Sequence, residues 1–209
     1  MFNEKRLIEL AKNGDEASFE QLLQKYEKLV YTIAYRSTGN EHDAFDISQE
    51  VFIKIYKNLP QFKEQSSLST WIFRITMNAC VDFARKKKRT PVSISIDDDE
   101  NIFLNDIADN SSEPLACIES MELADGIQQA ILSLSDDHRK IVILRDITGL
   151  SYAEIGEILD MPEGTVKSRL SRARENLRKI LLANGTMENN PRLNNQNNEN
   201  AQNDEKRGV

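Results

Sequence analysis

The chain has 209 residues, 39% of them hydrophobic and 29% charged, with a formal net charge of −7. That length suits one large or two small domains, and the apolar content suffices for buried cores. No run of eighteen apolar residues occurs and Met1 to Arg6 hold no apolar signal core, which excludes membrane insertion and leads us to expect a cytoplasmic protein.

Sparse aromatics and few Gly and Pro favour helices over a β-sandwich or barrel. Cys80 and Cys117 lie in dissimilar surroundings without C-x-x-C spacing and read as reduced thiols. His42 and His138 are each flanked by carboxylates in acidic helix starts, and no His/Cys cluster forms, so neither a metal nor a cofactor is expected. The net charge conceals an uneven distribution. Acid gathers around Asp97 to Glu100, and base gathers at Arg85 to Arg89 and from Lys167 to Lys179.

In chain order, Asn3 to Lys12 is a short amphipathic helix ended by Asn13-Gly14. Asp15 caps a long helix over about 16–37, with Phe19, Leu22, Leu23, Tyr26, Leu29, Val30, Ile33 and Ala34 at helical spacing. Asn40 caps a third helix running to about Asn58, with Ala44, Ile47, Val51, Phe52 and Ile55 inward and Pro60 as its stop. A polar loop, Gln61 to Ser67, leads to a fourth helix over about 69–88, whose inward face reads as Trp71, Ile72, Ile75, Ala79 and Phe83. Residues 1–90 thus form one helical domain. Residues 91–119 are poor in apolar side chains and rich in acid, Asn and Ser, the composition of a flexible acidic linker.

Residues 120–183 form a second helical domain. One helix covers about Glu122 to Leu134. Ser135-Asp136-Asp137 caps another, which ends at Gly149. Leu150 to Arg174 then reads as two helices around a tight turn. Ser151-Tyr152-Ala153-Glu154 is a capping box, Ala153 and Gly156 are small enough for a close crossing, and Met161 to Gly164 make the turn. At roughly 100° per residue, Val166, Leu170, Ala173 and Leu177 gather on one side of the last helix. Lys167, Ser168, Ser171 and Arg172 face the other way, flanked by Arg169 and Arg174. A helix pair presenting cations and hydroxyls is a helix-turn-helix suited to the major groove. Residues 184–209 are Asn-rich, nearly without apolar side chains, and read as a disordered tail.

Three further features carry chemistry. Asp43, Asp46 and Glu50, with Gln49, form an acidic, amide-bearing stripe on the third helix. It repels DNA and so reads as a protein-docking face, although acids in a first turn also suit the helix dipole. The loop Gln61 to Ser67 is either a plain connection or a pocket for an unstacked base, and Trp71 below it is core. The run Arg85 to Arg89 is either a set of cations completing a helix C-terminus or a phosphate-binding face.

The chain resembles the extracytoplasmic-function (group 4) sigma factors of bacterial RNA polymerase, in the sigma-70 family. Asp43-Ala44-Phe45-Asp46-Ile47-Ser48-Gln49-Glu50-Val51-Phe52 is similar to the core-binding pattern D-A-E-D-x-x-Q-E-x-F. Phe62 followed by Ser67-Leu68-Ser69-Thr70-Trp71-Ile72-Phe73-Arg74-Ile75-Thr76-Met77-Asn78 is similar to F…S-F-x-T-W-L-Y-R-I-A-x-N. Leu144-Arg145-Asp146, Gly149 to Ile155 and Gly164 to Arg169 match the promoter-reading domain. The resemblance spans roughly residues 10–183 and implies an all-α, two-domain initiation factor without enzymatic activity, acting in response to envelope or other stress. It implies that Asp43, Asp46, Gln49 and Glu50 meet the clamp helices of the largest subunit of core RNA polymerase. Lys54, Lys63, Ser66, Ser67, Leu68, Asn78, Arg85, Lys86 and Lys87 would meet the opened minus-ten strand. Arg145, Lys167, Ser168, Ser171 and Arg172 would meet minus-thirty-five DNA. An anti-sigma factor is the further implied partner. Phe45 stands where the family usually has an acid, Glu64 where the loop often has Gly, and Ser171 where relatives carry a larger residue.

Two other classes compete on the residues. A ligand-sensing regulator would need a pocket or response motif in residues 1–90, where the acidic stripe and the Trp71–Asn78 helix stand instead. An enzyme acting on DNA would need a nucleophile among arginines or a second carboxylate cluster facing the third helix. Neither occurs, so no catalytic residue is assigned.

Overall fold

Capping decides where the helices begin. In the computed structural model, which describes residues 4–89 and 114–186 (backbone only over 114–120), Asp15 accepts from the Ser18 amide and Asn40 from the Asp43 amide. These caps open α2 (Glu16–Thr38) and α3 (Glu41–Asn58), which follow α1 (Glu4–Lys12). Gly39, at φ 71, supplies the left-handed turn between α2 and α3 and returns its amide to the Tyr35 carbonyl. A 3₁₀ turn at Leu59–Gln61 ends α3, and α4 (Leu68–Arg89) completes the first domain.

Helix α2 packs against α1, α3 and α4, so its Leu22, Val30, Ile33 and Ala34 are fully enclosed. Ala44, Ile47, Val51 and Ile55 of α3 join them, as the spacing predicts. The phase of α4 is turned slightly from the sequence expectation. Ile72, Phe73, Thr76, Met77, Ala79 and Cys80 are buried, whereas Trp71, Ile75 and Phe83 lie at the rim. Thr76 is accommodated inside because its hydroxyl donates to the Ile72 carbonyl. Burial pushes the Cys80 thiol up to about 11, so it stays protonated and inert at neutral pH.

The second domain holds α5 (Pro114–Leu132), α6 (Asp136–Val142), a π turn (Ile143–Ile147), α7 (Tyr152–Leu159) and α8 (Glu163–Ala183). Helix α5 begins about eight residues earlier than its apolar pattern suggests. Pro114 stands at the first helical position, where its missing amide costs nothing, so it is a helix start and not a breaker. Ile143, Leu144, Ile155, Val166 and Ala173 close the core. Residues 90–113, which hold most of the expected linker, and residues 187–209 of the tail lie outside the described residues. No strand occurs among the described residues, and no helix there is long and apolar enough to cross a membrane.

The two domains meet along a polar and apolar seam. Gln128 of α5 is 3% exposed, donates to the Tyr35 carbonyl at 3.2 Å and accepts from Arg36 Nη1 at 2.7 Å. Arg139 donates to the carbonyls of Ile131 and Leu134 at the end of α5 and, across the seam, to that of Ser37. Leu132 packs so tightly on Gly39 that a Cβ there would stand 2.3 Å from its Cδ1. Helix α7 rests on α4, where Thr70 Oγ1 donates to Glu154 Oε1 at 3.4 Å.

Candidate nucleic-acid and docking surfaces

The turn between α7 and α8 is built from local bonds. Ser151 accepts from the Glu154 amide, and Glu154 Oε2 accepts from the Ser151 amide at 2.8 Å and its hydroxyl at 2.6 Å, completing the capping box. These bonds from Ser151 hold the Glu154 carboxyl below its ordinary range, against a smaller opposing effect of burial. Asp160 takes a left-handed conformation at φ 53, and the Met161 amide returns to the Gly156 carbonyl. Gly156 is the residue that permits this approach, since a Cβ would lie 2.7 Å from the Met161 carbonyl oxygen. Ala153, expected to share that role, borders the same groove beside Met161, Pro162 and Glu163 but is exposed there.

Pro162 then caps α8 without a side-chain bond, and the helix presents Lys167, Ser168, Ser171 and Arg172 as an exposed row above buried Val166, Leu170 and Ala173. Lys167 pairs with Glu163 at 2.8 Å, which holds its ammonium above the ordinary lysine range, and it lies 5.4 Å from the Tyr152 ring centre. On the same ring sits the Arg145 guanidinium, 4.8 Å from the centre, while its Nη1 donates to the Leu150 carbonyl at 2.6 Å. Tyr152 therefore clamps two cations from different elements. In the sequence Tyr152 stands only as a member of the capping box, because its two cations come from segments a linear pattern does not bring together. The flanks are neutralised: Arg174 pairs with Asp146, and Arg169 lies 3.7 Å from Asp137.

On α3, Asp46 and Gln49 are exposed, and Asp43 and Glu50 are half-buried. Beside them Phe45, Ile53 and Tyr56 add exposed apolar surface at helical spacing, between 52% and 55% exposed. The acids do not stand alone. Lys54 pairs with Glu50 at 2.6 Å, and Lys87 reaches from α4 to Asp43 at 2.8 Å. The Lys54 ammonium holds the Glu50 carboxyl below its usual range. The first pairing was readable from the four-residue spacing. The second joins residues far apart in sequence and was not. In the basic run, Arg85 faces Asp82 and Lys88 bridges to Asp136 of the second domain, so three of its cations lie beside carboxylates.

The loop before α4 is ordered by one serine. Ser67 Oγ accepts from the Thr70 amide at 3.1 Å and lies within 2.8 Å of the Ser69 and Thr70 hydroxyls. Lys63 and Ser67 are exposed, Ser66 is half-buried, and Leu68 points inward at 4% exposure. Asn78 is exposed roughly 15 Å further along α4. Glu64 sits at φ 54, a glycine-like conformation that costs a side-chain-bearing residue roughly 1–2 kcal/mol. Its carboxylate lies 3.6 Å from Lys12 Nζ, and that ammonium lies 5.3 Å from the Phe62 ring centre. An exposed ion pair with a cation–π contact contributes about 1 kcal/mol, enough to offset much of the strain. Phe62 is itself buried against Trp71. No cluster of three or more metal-ligating side chains occurs among the described residues.

Comparison with known proteins matches these two domains in order. Residues 22–90 match the Sigma-70 region 2 family and residues 124–177 match Sigma-70, region 4. The chain is 39% identical over 180 residues to the ECF RNA polymerase sigma factor SigW of Bacillus subtilis, covering 85% of this chain and 96% of that protein. It is 36% identical over 171 residues to the ECF RNA polymerase sigma-E factor of Escherichia coli, covering 81% and 89% respectively. It superposes on the sigma factor RpoE of Bartonella quintana, solved with the anti-sigma factor NepR, with a TM-score of 0.59 and 26% identity over 78% of this chain and 96% of that one. The chain belongs to the ECF sigma factors of the sigma-70 family, non-enzymatic subunits that direct transcription initiation.

Proposed function

We propose that this sigma factor divides its work between the surfaces just described. Asp43, Asp46, Gln49 and Glu50 dock on the clamp helices of the largest polymerase subunit, with Phe45 adding apolar contact where relatives carry an acid. Lys54, Lys63, Ser66, Ser67 and Asn78 meet the opened minus-ten strand, Leu68 anchoring the loop and Arg85, Lys86 and Lys87 lying toward its phosphates. Lys167, Ser168, Ser171 and Arg172, with Arg145 beside them, read the minus-thirty-five element in the major groove. An anti-sigma factor holds the protein silent in the cytoplasm until envelope or other stress releases it.

The observation that supports this reading best is the exposed row on α8, aligned by the capping box and the tight turn below it. Its test is run-off transcription with purified core polymerase. Lys167→Ala with Arg172→Ala should abolish promoter-specific transcripts while polymerase binding persists. Asp46→Arg with Glu50→Arg should abolish polymerase binding instead, and unchanged core affinity in that variant would refute the docking assignment.

A further inference from the structure

Lys12 closes α1, an element with no part in the surfaces assigned above, yet its ammonium touches both residues that flank Lys63. On one side lies Glu64, its carboxylate 3.6 Å away. On the other lies the ring of Phe62, 5.3 Å away at the centre. Glu64 is one of only two non-glycine residues with positive φ among those described. Such a conformation persists in a side-chain-bearing residue when its surroundings over-determine it, and such positions concentrate at binding sites. Phe62 is fixed in turn, being 6% exposed with its ring centre 5.1 Å from that of Trp71. The other end of the loop is held independently, by Ser67 and the amide of Thr70. Between these two anchors Lys63, Gln65 and Ser66 carry an ammonium, an amide and a hydroxyl, the groups that read the edge of an unstacked base.

We propose that Lys12 is a positioning residue for the strand-reading loop, holding Glu64 in its left-handed turn so that Lys63, Gln65 and Ser66 meet the base in one fixed arrangement. Where relatives have glycine, the turn forms unaided. Here a glutamate occupies it, and a cation from the first helix does the holding. The inference rests on the proposed reading of the loop as the minus-ten contact. A loop held by a tether discriminates among bases because the wrong base meets misplaced donors. A loosened loop adapts to every base, and discrimination falls before affinity does.

The test uses the full chain with core polymerase on a promoter library randomised across the minus-ten element. Lys12→Ala should reduce preference at the loop-read base about 3- to 5-fold, the scale of one exposed ion pair with a cation–π contact. Core affinity and minus-thirty-five preference should hold, and the melting temperature should fall by no more than the few degrees that the loss of one such exposed contact represents. Lys12→Arg should restore the preference, and in a Glu64→Gly background Lys12→Ala should do nothing, because glycine needs no tether. Should Lys12→Ala destabilise the fold, the exchange of Lys12→Glu with Glu64→Lys should keep both stability and preference. A preference unchanged by Lys12→Ala, in a protein where Lys63→Ala or Ser66→Ala does alter it, overturns the positioning role alone. If none of these variants alters the preference, the loop reading falls and the positioning role with it. A uniform loss on every minus-ten sequence also overturns the proposal, since it marks Lys12 as a phosphate contact.

Discussion

Glu154 satisfies a helix end, accepts a serine hydroxyl and receives Thr70 from the other domain, all with one carboxylate. These bonds favour its ionised form, so its folded pKa lies below the ordinary value of 4.5. The stability it contributes is present above that ordinary value and is lost as pH falls through the lower, folded one. Glu4, Glu50 and Asp136 are shifted the same way by Lys25, Lys54 and Lys88 respectively. Thermal stability should therefore be level from neutral pH to about 4.5 and fall below it. Glu154→Gln should shallow that acid limb, as melting curves across pH would register. Ser151→Ala removes the other half of the box and should cost about 1 kcal/mol in denaturant titration at neutral pH.

The turn between α7 and α8 depends on the bare Cα of Gly156. Gly156→Ala drives a methyl into the Met161 carbonyl, a backbone atom that cannot rotate aside. The expected cost is about 1–3 kcal/mol, and on the proposed role of α8 its displacement should also weaken binding of minus-thirty-five duplex. Circular dichroism melts and fluorescence anisotropy would measure the two effects. This element was legible in the sequence because its information is local: a serine and a glutamate three apart, a glycine, a proline, and an apolar stripe opposite a basic one. The caps Asp15 and Asn40, and the inward face of α3, were legible for the same reason. What escaped is non-local. The rotation of α4 depends on what packs around it, which no residue of α4 states. The Lys87–Asp43 pair, Tyr152 between Arg145 and Lys167, and Lys12 beside Glu64 each join segments that a linear pattern cannot bring together. Pro114 fell within the expected linker because the residues before it are polar and acidic, whereas proline is also at home in a helix's first turn.

With its domains packed along this seam, the chain is too small to contact at once the two promoter elements proposed for it. A folded chain of this length has a radius of gyration of about 17 Å, whereas sites centred near minus ten and minus thirty-five lie about 80 Å apart on B-form DNA. Engagement of both therefore requires the seam at Gln128, Leu132 and Arg139 to part. An acceptor–donor dye pair, one on each domain, should report a longer distance once core polymerase and promoter are added. Gln128→Ala strands the Arg36 guanidinium and leaves the Tyr35 carbonyl with the Gly39 amide alone, at a cost of about 1–3 kcal/mol, and with Arg139→Ala should split a single melting transition into two. Calorimetry would show it. The ion pairs on α3 have a consequence at this scale too. Lys54 and Lys87 spend the free state compensating Glu50 and Asp43. A cationic surface that claims those carboxylates leaves both lysines uncompensated, and an anionic strand that claims the lysines bares the carboxylates. Each such partner would raise the affinity for the other by the same factor, so on the proposed assignment polymerase and melted DNA would act on this chain as mutual effectors through a few ångströms of side chain.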